Sequence, residues 1–110
     1  MEDEDVRRLS AQILHGCDYI GLCQDKARSL DFPDGSMIHE INGGHLVIPG
    51  DVAQSVTALA YASRMLADVN VGKSAEYLER AKRGFEYLVN RAEPFGPDGF
   101  SHLNHGAPEG

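Results

Sequence analysis

The sequence predicts an all-α fold: three packed helices, arranged as a helical-hairpin array, with one small β-hairpin between the first two. Three observations predict it. Apolar residues recur at spacings of three and four along three long stretches, breaks rich in Pro, Gly and Asn separate those stretches, and the chain nearly repeats itself. In the repeat, Cys17-Asp18-Tyr19-Ile20 leads through Phe32-Pro33-Asp34-Gly35-Ser36 to His39, and Phe85-Glu86-Tyr87-Leu88 leads through Phe95-Gly96-Pro97-Asp98-Gly99 to His102. Self-similarity of this kind marks stacked units that cannot bury their apolar faces alone.

The first helix is expected over residues 5–29, where Val6, Leu9, Ile13, Cys17 and Ile20 share a face and Arg7, Arg8, Gln12 and Asp18 oppose it. Its acidic first turn suits the positive end of the helix dipole. Phe32-Pro33-Asp34-Gly35 stops it, since the residue before proline is pushed out of the helical region and glycine supplies a positive φ. Residues 37–41 and 45–48 flank Asn42-Gly43-Gly44, the strongest hairpin signal in the chain.

A second helix is expected over residues 52–69, with Asp51 as N-cap and Gln54 completing a capping pair. Between Val52 and Leu66 only Arg64 is charged, so this helix reads as one surrounded by others. The third helix spans about residues 75–91 from a Ser74 cap, its inner stripe being Leu78, Ala81, Phe85 and Leu88. Glu76 with Arg80 and Glu79 with Arg83 form outward pairs four apart. Residues 93–110 read as an irregular C-terminal loop, so residues 1–110 make a single helical domain or a fragment of a longer one.

Composition narrows the function. A chain of 110 residues buries roughly 65% of its unfolded surface, enough for one core and no large enclosed cavity. The net charge of -7 offers no positive field to hold phosphates, which argues against nucleic acid. No apolar run reaches membrane length, and the acidic start Glu2-Asp3-Glu4-Asp5 is not an export signal. Cys17 and Cys23, six residues apart on one helix, stand roughly 9 Å apart along its axis, too far for a disulfide. Free thiols favour a reducing compartment.

The stretches GCDYIGLCQDKA with PDGSMIHEI, SVTALAYASRMLADVNVGKSAEYLERAKRGFEYL, and PFGPDGFSHLNH resemble the helical hairpins of (α/α)6-toroid glycoside hydrolases, family 9 of the cellulase type. The resemblance implies a carbohydrate-active enzyme, or a piece of one, that binds glycans. In that family an Asp-Ala-Gly-Asp motif precedes an apolar helix, and its last Asp activates water. Gly50 and Asp51 match that motif, whereas Ile48 stands where its first Asp should be. Asp51 is thus the candidate catalytic residue, and Asp98, His102, His105 and His39 are the candidate sugar-binding ones. Glycoside hydrolysis needs two carboxyl groups at a controlled separation, and the second would come from outside this chain.

No cofactor is expected. His102 and His105, three apart, could share a metal with His39, Glu40 and His45, although polar loop residues account for all five more simply. Tyr19, Tyr61, Tyr77 and Tyr87 include possible sugar-stacking platforms, yet tyrosines at helical spacing are more often core residues. The competing reading is a non-enzymatic module that self-associates through its apolar second helix. Its partners are then further copies of itself, or the remainder of a longer chain.

Overall fold

The computed structural model describes residues 3–42 and 45–92. They form three helices: α1 (Asp3–Ser29), α2 (Pro49–Met65) and α3 (Val71–Asn90). The all-α expectation holds. Residues 93–110, with the second Pro-Asp-Gly turn and the candidates Asp98, His102 and His105, lie outside the described residues.

α1 ends where the proline break was expected. Phe32 N–H bonds Ala27 C=O at 3.0 Å and Asp31 N–H bonds Arg28 C=O at 3.1 Å, the paired bonds of a Schellman cap, with Asp31 in the left-handed position at φ 65°. Gly35 follows at φ 86°, and a Cβ there would stand 2.1 Å from the Arg83 carbonyl oxygen, so only glycine fits.

The hairpin does not form. What joins residues 37–41 to 45–48 is a single antiparallel bridge between Ile38 and Val47, supported by His39 N–H on Leu46 C=O at 2.8 Å. Met37 and Ile38, and then Val47 and Ile48, are consecutive and all buried, so the segment does not alternate between two faces as a strand must. Anchoring to the helices replaces pairing: Ile38 N–H bonds the Cys23 carbonyl at 3.2 Å.

Both later helices start earlier than expected. Pro49 occupies the first position of α2, for which its fixed φ is suited, so Ile48 is the N-cap and Asp51 falls inside the first turn with its side chain released from capping. Asn70, not Ser74, caps α3, accepting Lys73 N–H at 3.1 Å. Ser74 instead staples α3 to α2: Ser63 Oγ donates to Ser74 C=O at 2.7 Å and Ser74 Oγ donates to Ser63 C=O at 2.6 Å.

α2 and α3 form the closest pair, antiparallel, and α1 packs against both. A Cβ on Gly84 would come within 2.6 Å of Val56 Cγ2, which shows how near the two backbones run. Val52, Leu59, Ala62, Leu66, Tyr77, Ala81 and Tyr87 meet Cys17, Cys23 and Ala27 of α1 in one core. α2 is not enclosed on every side, for Ala58 is exposed and Tyr61 and Met65 are more than half exposed. α3 turns inward a face that matches the expected stripe only in part: Ala81 is buried and Leu88 packs against the core. Tyr77, Ala81, Gly84 and Tyr87 are buried, whereas Leu78 and Phe85 face out.

α1 meets α3 through polar groups that advance in step along parallel helices. Tyr77 Oη donates to Asp18 at 2.7 Å and Lys73 Nζ lies 2.9 Å from the same oxygen. Two turns on from the Asp18–Lys73 pair, Arg80 forks onto Asp25 at 2.9 and 3.2 Å while also bonding Gln24 and Glu76, each at 3.0 Å. Arg80 fits there because Gly21 has no side chain to obstruct it.

Candidate functional site

A cleft of about 490 Å³ opens between α1, the 37–39 segment and the first turns of α2. Its floor is apolar, made by the buried Cys23, Met37 and Ile38 with Ile20 beside them. Tyr19, His39, Asp51 and Gln54 form a polar rim.

Each rim residue is placed by a local feature of the chain. Because Pro49 opens α2, Asp51 points from the first turn across to the 37–39 segment. The Ile38–Val47 bridge and the bond from Ile38 to Cys23 hold His39 opposite it. The two meet directly, His39 Nδ1 bonding Asp51 Oδ2. Glu40 Oε1 lies 3.9 Å from His39 Nε2, so the imidazole sits between two carboxylates. Tyr19 Oη accepts Ile41 N–H at 3.1 Å, which props the far end of this segment against α1.

Of the candidates read from the sequence, the fold therefore joins two, Asp51 and His39. The former is not the helix cap, and it lines the cleft beside His39. His45 is turned elsewhere, its Nε2 donating to Ile41 C=O at 3.1 Å. Among the described residues no group of three or more His, Cys, Asp or Glu side chains is placed to hold a metal ion.

Two cleft residues had been given other roles. Gln54 is expected from the sequence to complete a capping pair, and Cys23 to be a free thiol. The Cys23 thiol is pushed up by burial, a hydrogen bond from Tyr19 only partly opposing this, so it stays protonated at neutral pH and contributes surface rather than a nucleophile. The local signal for Tyr19 was its place four residues before Cys23, on the side of α1 that turns toward the 37–41 segment.

Chemically, the cleft offers a fixed carboxylate and imidazole, an amide and a phenol ring around an apolar base. Such a rim exchanges hydrogen bonds with hydroxyl groups. Among the described lining residues Asp51 is the one carboxylate, so the pair of carboxyl groups that glycoside hydrolysis requires is not assembled by them. Comparison of the chain with protein-family models, curated proteins and solved structures finds no match.

Proposed function

We propose that this chain is a helical binding module whose α1–α2 cleft takes a small polyhydroxylated ligand, a sugar unit being the class that fits it best. The observation that carries this reading is the His39–Asp51 pair at the mouth of an apolar-floored cleft, with Tyr19 on the adjoining wall. Ligand sites commonly combine an apolar base with a few fixed polar groups. A sugar presents hydroxyls at its edge and C–H groups on its face, which suit Asp51, His39 and Gln54 on one side and the Tyr19 ring on the other.

The toroid resemblance supports the same ligand class. It sets Asp51, at the start of an apolar helix, where that family carries its water-activating base. Binding is the function proposed for the chain, and hydrolysis is left to an assembly that supplies a second carboxyl group.

Calorimetric titration with glucose and cello-oligosaccharides tests the proposal. Millimolar affinity is expected, falling at least tenfold in Asp51→Asn and in Tyr19→Ala. No heat of binding with any of these sugars, or equal affinity in both variants, would remove the glycan reading.

A further inference from the structure

The exposed side of α3 carries a second apolar stripe that the other described residues leave uncovered. Val71, Ala75, Leu78, Lys82, Phe85 and Val89 are all exposed and follow one another at steps of four, three, four, three and four. That is the 3.5-residue repeat of a coiled-coil seam, running the length of the helix. The stripe lies on the opposite side of α3 from Arg80, which reaches Asp25 of α1, and from its α3 partner Glu76, so α1 packs away from it. Phe85 is 59% exposed and Val89 63%. Together these side chains present several hundred Å² of apolar surface, at the upper end of what a monomer leaves open.

We propose that a second copy of this chain covers the stripe, the two α3 helices packing antiparallel about a two-fold axis. Volume and charge both select this partner. With the axis beside Glu79 and Arg80, Val71 of one copy faces Val89 of the other, and the small Ala75 faces the large Phe85. Leu78 faces Lys82, whose aliphatic stem covers the leucine while its ammonium reaches Glu79 of the second copy. A two-fold operator makes every such contact twice. Parallel pairing in register would instead set Lys82 against Lys82, and a lone cation at such a position fixes orientation at some cost in affinity. The cleft lies on the α1 side and stays open, so this interface does not depend on the proposed ligand.

Sedimentation equilibrium of the full chain at high micromolar concentration tests the proposal. The wild type should weigh as a dimer. Phe85→Glu and Val89→Lys, at solvent-facing positions, should keep their helical circular dichroism and weigh as monomers. Lys82→Glu should weaken the dimer at least tenfold, and Lys82→Glu combined with Glu79→Lys should restore it, because only the antiparallel arrangement brings those two positions together. A monomeric wild type, or a dimer unaffected by Phe85→Glu and Val89→Lys, would overturn the interface. A dimer that the charge exchange fails to rescue would overturn the antiparallel arrangement.

Discussion

Tyr77→Phe removes one hydroxyl from the interior and tests how α1 is held. Tyr77 is fully buried and its Oη donates to Asp18 at 2.7 Å, a hydrogen bond to a charged acceptor. Bonds of that type contribute about 1.5–3 kcal/mol. The lower end applies, because the Asp18 side chain is 44% exposed, water can replace the phenol, and Lys73 remains 2.9 Å away. The ring itself stays in place, so no large cavity opens. The expected loss is therefore about 1–2 kcal/mol, or roughly 4–12 °C in Tm for a domain near 100 residues. Urea titrations followed by circular dichroism measure it. Repeating them in acid, once the pH has fallen through the lowered Asp18 value, should shrink the difference between variant and wild type, since the acceptor is then uncharged. A loss below a few tenths of a kcal/mol at neutral pH, or an equal loss at both pH values, would refute the role given to this bond.

Two further predictions concern the same fold. Gly84→Ala should destabilise by about 1–2 kcal/mol, the close approach to Val56 outweighing the better helix propensity of alanine, and adding Val56→Ala should recover part of the loss in a double-mutant cycle. Additive effects of the two changes would mean that the helices are not in contact there. Acid should also loosen the fold. Burial raises the Asp18 carboxyl, but hydrogen bonds from Lys73 and Tyr77 and the positive charges of Lys73 and Arg80 outweigh it; a hydrogen bond from Arg80 lowers Asp25, so both lie below the usual carboxylate value. The unfolded chain then binds protons more tightly than the folded one, and the stability these groups add is present above about pH 4 and lost as pH falls through their lowered values. Asp18→Asn combined with Asp25→Asn should flatten that part of the pH profile, and an unchanged profile would show that other groups control it.

Much of the helical layout was legible in the sequence because local signals and tertiary structure agreed. The Phe32-Pro33 stop and the positive φ at Gly35 are examples, each set by backbone sterics within a few residues. Where two local solutions compete, the outcome depends on contacts far along the chain. α3 has two apolar stripes, and the one containing Leu78 and Phe85 is the more hydrophobic. The fold nonetheless buries Tyr77, Ala81, Gly84 and Tyr87, because Gly84 lets α2 approach and Tyr77 finds Asp18. The hairpin signal at Asn42-Gly43 was outweighed in the same way, by burial of adjacent residues on both arms. In the cleft, Asp51 and His39 could each be singled out from the sequence. Their contact could not, since it arises from Pro49 opening α2 early and from the 37–39 segment docking on α1. Tyr19 is one of four tyrosines the sequence offers as stacking platforms, with nothing beyond its spacing from Cys23 to favour it, and Gln54 carries no sequence mark that separates it from surface residues of any amphipathic helix.

The claim that the cleft is a ligand site is tested most directly by mapping ligand-induced NMR shifts onto the chain. With a cello-oligosaccharide at millimolar concentration, the ring signals of Tyr19 and His39 and the amides around Asp51 and Gln54 should move together along one saturable curve, while signals from the exposed face of α3 stay still. Shifts confined to α3, or none at these four residues, would contradict the account.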